Sequence, residues 1–275
     1  RKNMTTKFPS HKTKIVCTIG PASRSKEVIE ELVRHGMNVA RLNFSHGTLE
    51  GHKKDIRRIR SVASNLNSSC TILADLPGIK IRIGKLHSEP VELVEGSRIV
   101  LTSNQIIGNA ERLSVNYERL NESVTEGSLV YLNDGFIQLL VEKTAPEEII
   151  CRVLVGGQLL SHKGLSLPGA RMHINSVTAR DLELVDFGIK EGVDAFGISF
   201  VEKEDDILKV RQFIRQNGGS AYLVAKIERA EAVENIDKIL KSADAIMIAR
   251  GDLGVQIPLE NLPMIQKRII REANL

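Results

Sequence analysis

Two short stretches set a carboxylate close to a cation. In Lys226-Ile227-Glu228, strand-like alternation puts Lys226 and Glu228 on one face and Ile227 on the other. An ammonium and a carboxylate side by side suit a divalent cation and a nearby developing anion. The alternative is a structural ion pair between strand-end charges. Ala249-Arg250-Gly251-Asp252-Leu253-Gly254 offers Asp252 as a second metal carboxylate, with glycines that let a ligand approach the backbone. A charged turn closed by Asp-Leu-Gly is the other reading of that segment. Arg41 carries the fork that clamps a phosphate, or else pairs with an acid. Asn43, Ser45 and His46 follow it in a polar corner, where turn, cap and surface roles compete with binding ones. Asp75 is followed closely by Lys80 and Arg82, and Lys163 sits in a stretch read as flexible, where a solvated surface lysine is the plainer reading. A basic clamp with two carboxylates and no nucleophile–base pair points to phosphoryl transfer or enolate chemistry, which work by positioning and charge neutralisation. No Gly-x-x-x-x-Gly-Lys segment is present, so a P-loop nucleotide site is excluded.

Most of these residues fall where a short apolar run ends, which is where strand–helix folds carry their sites. Lys14–Ile19 reads as a strand closed by Gly20-Pro21; Ser25 caps a helix with Val28, Ile29, Leu32 and Val33 on one face, ending at Gly36. Met37–Leu42 is a second strand, and Ile56, Ile59 and Val62 form the stripe of the next helix. Thr71–Leu76 is a third strand; these runs are apolar enough for a parallel sheet covered on both faces. From about Ile83 to Leu165 the helices give way to β-like runs at Val91–Val94, Arg98–Thr102, Leu129–Leu132, Phe136–Val141 and Ile149–Val155. Asn133-Asp134-Gly135 reads as a hairpin turn and Gly156-Gly157 as another tight turn, so this segment is expected to be an inserted all-β domain of antiparallel strands. The strand–helix rhythm then resumes. Thr178-x-x-Asp181 opens a helix, Ala195–Phe200 is a strand, and Ile207, Val210 and Ile214 mark the helix after it. Ala221–Ile227 is a strand before one helix carrying Val233, Ile236 and Leu240; Ala245–Ala249 is the last strand, with a helix from about Glu260. Alternation of this kind predicts a doubly wound sheet or a (β/α)-barrel, here with six strand–helix units.

Composition narrows the function classes. Of 275 residues, 42% are hydrophobic and 26% charged, which supports a large core and excludes disorder. The net charge of +4 comes from 38 basic and 34 acidic residues that are dispersed, and aromatics are only 4%. Stacking platforms for nucleic acid are therefore poorly supplied, and no nucleic-acid partner is expected. No apolar run approaches the ~20 residues of a membrane span, and the basic stretch from Arg1 to Lys14 lacks a signal peptide's apolar core. Three widely spaced cysteines, Cys17, Cys70 and Cys151, indicate neither a zinc site nor a disulfide framework. The expectation is a reduced cytoplasmic protein with no membrane partner.

At these residues the chain resembles the pyruvate kinase family. The matching segments are Thr13–Ser23, Arg41–Gly47, Lys163–Gly169, Val193–Val201, Lys226–Glu228 and Ala249–Val255, in the family's order and spacing over almost the whole chain. The resemblance implies a partial (β/α)-barrel with an all-β domain inserted after the third strand. On that basis residues 1–82 form the first part of the barrel, 83–165 the inserted lid-like domain and 166–275 the second part. It also implies transfer of the phosphoryl group of phosphoenolpyruvate to ADP, giving pyruvate and ATP, and assembly as a homotetramer. By position, Glu228 and Asp252 would hold magnesium, Lys226 would neutralise the transferring phosphoryl group and the enolate, and Arg41 would bind the phosphate. The backbone around Gly251 would take the substrate carboxylate. Asn43, Ser45, His46, Arg82 and Lys163 would line the nucleotide side, while Asn43, Ser45 and Asp75 would form the family's potassium pocket.

The chain departs from the resemblance in two ways. Potassium-dependent members carry Asp-Thr-Lys-Gly-Pro-Glu-Ile-Arg after the third strand, where this chain has Asp75-Leu76-Pro77-Gly78-Ile79-Lys80-Ile81-Arg82. Lys80 is expected to supply the charge internally, so no potassium requirement is expected. The barrel also stops two units short at Leu275, and Arg1 precedes a plausible initiator, Met4. The chain thus reads as a fragment, expected to be inactive alone. Two alternatives stand beside the kinase: an inactive fragment that binds phosphometabolites or a partner, and a metal-dependent aldolase acting through a pyruvate enolate.

Overall fold

The computed structural model describes residues 13–170 and 175–275; Met4 and most of the basic stretch from Arg1 lie outside the described residues. In chain order, β1 (Ile15–Ile19) precedes α1 (Lys26–Arg34), β2 (Met37–Asn43) precedes α2 (Leu49–Asn65), and β3 (Thr71–Asp75) opens a run of short strands. These are β4 (Val91–Leu93), β5 (Arg98–Thr102), β6 (Arg112–Ser114), β7 (Leu129–Leu132), β8 (Ile137–Ala145), β9 (Glu148–Val155), β10 (Gly157–Leu159) and β11 (Leu165–Ser166). Helices return with α3 (Ala179–Lys190), then β12 (Ala195–Ile198), α4 (Glu204–Gln216), β13 (Tyr222–Ile227), α5 (Ala230–Glu234) and α6 (Ile236–Ser242). β14 (Ala245–Ile248), α7 (Arg250–Gln256) and α8 (Leu262–Ala273) complete the chain. The architecture is of the expected class, α/β, with parallel strands alternating with helices and an inserted all-β region.

The chain divides into two units, each assembled from separate segments. The first holds Arg1–Pro77, Ala179–Gly197 and Arg211–Leu223. Here β1, β2, β3 and the first residues of β12 run parallel, with Cys17 opposite Ala40, Leu42 opposite Ala74, and Ala74 opposite Phe196. Ala40, Leu42, Ile72, Ala74 and Phe196 have no exposed surface, as strands covered on both faces require. β1 departs from that expectation: among the described residues it pairs only with β2, and Ile15 and Val16 are exposed on this strand. Ser25 caps α1 by accepting the Val28 N–H at 3.2 Å, and Gly36, at φ 102, follows the last turn in the left-handed region where glycine is preferred. Ile56, Ile59 and Val62 of α2 are buried as their spacing indicated.

The second unit holds Gly78–Thr178, Ile198–Val210 and Val224–Leu275. Its β7, β8, β9 and β5 form antiparallel ladders around a core that includes Ile99, Leu101, Val130, Leu139, Ile149 and Cys151. β13 and β14 pair in parallel, Lys226 opposite Met247 and Ile227 opposite Ile248.

Several expectations are corrected. β6 runs parallel to β5, so the inserted region is not wholly antiparallel. Gly156-Gly157 closes no hairpin: the chain passes from β9 into β10, which pairs with β4 in a separate sheet. A Cβ at Gly156 would meet the Leu93 carbonyl at 2.2 Å, so that glycine serves close backbone approach. The single helix over Val233–Leu240 is two, α5 and α6, broken at Asn235, whose side-chain amide donates to the Glu202 carbonyl at 2.9 Å. β12 ends at Ile198, before Phe200, whose φ of 54 cannot continue a strand.

Candidate active site

In the second unit, Lys226 lies in the penultimate position of β13 and Glu228 just beyond the strand's end. Their side chains meet: Lys226 Nζ lies 2.9 Å from Glu228 Oε1, with side-chain exposures of 9% and 2%. Lys226 also donates to Ser199 Oγ at 2.7 Å, and the Phe200 backbone N–H donates to Glu228 Oε2 at 2.8 Å. Burial pushes the Glu228 carboxyl above its ordinary range; Lys226 and the Phe200 amide pull it back, and Asp252 adds to the rise. Next to it, Arg229 is buried and bridges Glu202 and Glu231; burial likewise raises Glu202.

Asp252 sits in α7, a helical turn where a charged turn was the alternative. A Cβ at Gly251 would meet nothing within 4 Å, and Gly251 lines a cavity of about 630 Å³ with Tyr131, Gln138 and Arg250. Asp252 and Glu228 line a second, smaller cavity with Lys80, Phe200 and Arg229. Lys80 Nζ is 3.0 Å from Asp252 Oδ1 and 3.6 Å from Asp134 Oδ1. Arg82 and Lys163 come together through the backbone. Arg82 Nη1 donates to the His162 carbonyl at 2.8 Å, Arg82 bridges Gly164, and the Ile83 N–H donates to the Lys163 carbonyl at 3.0 Å. The Lys163 segment is therefore pinned, which corrects its reading as flexible.

The first unit holds its own group. Arg41 Nε donates to Asp75 Oδ2 at 2.7 Å and Nη1 to Thr18 Oγ1 at 2.9 Å, so Arg41 forms the ion pair that was its alternative reading. Asn43 Oδ1 accepts the Ser45 N–H at 3.1 Å, which shapes the polar corner, and His46 is exposed there. His52, which the sequence did not single out, has its Nε2 2.8 Å from the His46 carbonyl and its ring 4.5 Å from that of Phe44. Desolvation lowers its pKa, keeping the ring neutral under the corner. Sequence spacing does not mark Asp134 or Glu202 for these roles, because their partners Lys80 and Arg229 are distant along the chain; His52 is unmarked because its contacts, His46 and Phe44, depend on how the corner folds back on α2.

The carboxylates of Glu228 and Asp252 fit magnesium. Both are hard oxygen donors on one cavity, and the Asp252 charge raises the Glu228 pKa, a repulsion that a shared cation would relieve. Among the described residues no group of three or more His, Cys, Asp or Glu gathers as a metal site, and a two-carboxylate set suits an ion that keeps water and substrate oxygens as further ligands. Cys17, Cys70 and Cys151 are free thiols, the last pushed up to about 12 by burial. No described helix is long and apolar enough to cross a membrane.

The fold and these strand-end charges place the chain among (β/α)-barrel proteins with an inserted β-domain. A model of the pyruvate kinase barrel domain matches residues 10–275. Pyruvate kinase of Thermococcus litoralis is 48% identical over 268 residues, covering 98% of this chain and 56% of that protein. Pyruvate kinase of Staphylococcus aureus is 44% identical over 265 residues, covering 96% and 45%. The crystal structure of a pyruvate kinase from Cryptosporidium parvum superposes with a TM-score of 0.90 at 37% identity, over 95% of this chain and 55% of that one. The chain belongs to the pyruvate kinase family. It spans about half the length of the curated relatives it matches.

Proposed function

We propose that the protein served by this barrel region transfers the phosphoryl group of phosphoenolpyruvate to ADP in the cytoplasm, as a step of glycolysis. The observation that carries this reading is the buried Lys226 ammonium, held by Glu228 and Ser199 and not by solvent. In the reaction the bond from phosphorus to the enol oxygen breaks as a bond to an ADP phosphate oxygen forms, and the enolate takes up a proton at carbon. Glu228 and Asp252 would hold magnesium, which supplies neutralisation of phosphoryl oxygens when bound. Lys226, fixed from two sides, stabilises charge on the phosphoryl group and the enolate without reorganising. Arg41, oriented by Asp75 and Thr18, keeps a fork for the phosphate, and the backbone around Gly251 takes the substrate carboxylate. By the family resemblance, Asn43, Ser45 and His46 of the first unit and Arg82 and Lys163 of the second would each contribute to nucleotide binding. The homotetramer of the family resemblance belongs to the same proposal.

With Leu76 and Lys80 in place of the threonine and glutamate, the pocket of Asn43, Ser45 and Asp75 is proposed to need no potassium. The test is turnover by the intact protein with tetramethylammonium as the sole monovalent cation. Magnesium-dependent pyruvate formation is expected, and Glu228→Gln should reduce it to background. Wild-type turnover by Glu228→Gln at limiting magnesium would remove Glu228 as a ligand. Activation by potassium of about tenfold or more, roughly 1.4 kcal/mol of barrier, would show that the cation is required.

A further inference from the structure

Lys80 stands between two carboxylates that belong to different parts of the second unit. Asp252 Oδ1, in α7, is 3.0 Å from its ammonium; Asp134 Oδ1, at the tip of the β7–β8 hairpin, is 3.6 Å away. One positive charge thus serves two negative ones. All three side chains are partly solvated, with exposures of 29% for Lys80, 38% for Asp252 and 65% for Asp134. The path of the lysine stem is built. A Cβ on Gly164 would come within 2.9 Å of Lys80 Cε, so glycine at that position leaves the stem its room. The same Gly164 accepts the Asn133 N–H at 3.0 Å, which ties the stem's surroundings to the hairpin carrying Asp134. Asp134 has φ 56, a left-handed conformation that points to a fixed turn.

We propose that Lys80 is an exchangeable counter-ion of the Glu228–Asp252 site: it neutralises Asp252 when no divalent cation is bound and shifts to Asp134 when one is. The proposal rests on the reading of Glu228 and Asp252 as metal ligands. A divalent ion on Asp252 and an ammonium at 3.0 Å from the same carboxylate repel each other. The flexible four-carbon stem lets the ammonium leave, and Asp134 is already within reach. Exchange makes cation binding and the Lys80–Asp134 contact interdependent: whatever strengthens one strengthens the other by the same factor. It also sets a cost on cation binding, because the ion must displace an internal competitor.

The experiment is calorimetric titration of manganese(II), as a magnesium surrogate, into the 275-residue chain and its variants. Lys80→Met should bind manganese about fivefold tighter than the unmodified chain. Asp134→Asn, a substitution the left-handed turn tolerates, should bind about threefold weaker, because Lys80 then has no second partner. The double variant should match Lys80→Met alone. Amide exchange at residues 133–135 should slow on adding manganese to the unmodified chain and not to Lys80→Met. Unchanged or weaker binding by Lys80→Met overturns the proposal. Equal weakening by Asp134→Asn with or without Lys80 also overturns it, since Asp134 would then act through its field alone. Asp252→Asn separates the two levels. If it leaves manganese affinity unaltered, the two-carboxylate site fails and the exchange fails with it; if it weakens binding while Lys80→Met does nothing, the exchange alone fails.

Discussion

Two lysine–carboxylate pairs in the second unit have nearly the same length and opposite settings. Lys226 and Glu228 meet at 2.9 Å with 9% and 2% of their side chains exposed; Lys80 and Asp252 meet at 3.0 Å with 29% and 38% exposed. Distance therefore does not separate them, and solvent does. Stripped of its partner, a buried charge keeps its full desolvation penalty, whereas a half-exposed charge is rehydrated. The first pair has the burial that a preorganised charge needs, and the second has the solvent access that counter-ion exchange needs.

The largest test of this contrast is Lys226→Met. It leaves the Glu228 carboxylate buried with the Phe200 N–H as its remaining donor among the described residues, and should cost about 3 kcal/mol in urea unfolding of the chain at neutral pH. The loss should depend on pH. Burial raises the folded pKa of Glu228 above its ordinary 4.5, so its contribution to stability is full below 4.5 and lost as pH rises through the folded value. Without Lys226 the folded value climbs further, so the defect should widen with rising pH and shrink towards pH 4.5. A defect independent of pH would mean that the pair is not what fixes Glu228.

A second, smaller effect probes how Glu228 is held from its other side. Gly78 has φ 58, and a Cβ there would lie 3.1 Å from the Phe200 ring and 3.3 Å from the Ser199 carbonyl. Gly78→Ala should destabilise the chain by about 2 kcal/mol, combining left-handed strain with pressure on the segment that donates to Glu228. Stability within 0.5 kcal/mol of the parent, on the order of ordinary surface changes, would show that this segment yields freely.

The same contrast explains what the sequence revealed. Strands and helices were readable where one periodicity ruled: Ile56, Ile59 and Val62, or Ala40 and Leu42, are buried because spacing alone sets their face. The Lys226–Glu228 pair was readable for the same reason, as alternation along β13 brings the two side chains to one side. The α5–α6 break was not, because Asn235 is held by a carbonyl more than thirty residues away in sequence. Nor was the place of Lys80, since Asp252 and Asp134 are local neighbours of neither Lys80 nor each other. The short strands β6, β10 and β11 have no apolar run of their own that marks them, and their pairing comes from tertiary context.

The smallest effect is the one expected of the exposed pair. Lys80→Met removes an ion pair whose members both contact water, so unfolding free energy should change by less than about 1 kcal/mol. The methionine retains much of the stem's apolar length, so the room beside Gly164 stays filled and packing contributes little to the difference. Asp252 and Asp134 are left without their shared cation, yet solvent reaches both and salt screens their repulsion. The change should therefore shrink further in 0.5 M salt, on the order of a Debye length of only a few ångströms, while the Lys226→Met defect should persist there. Equal costs for the two substitutions, or a Lys80→Met cost unaffected by salt, would place Lys80 among the fixed structural charges and remove the basis for treating it as an exchangeable one.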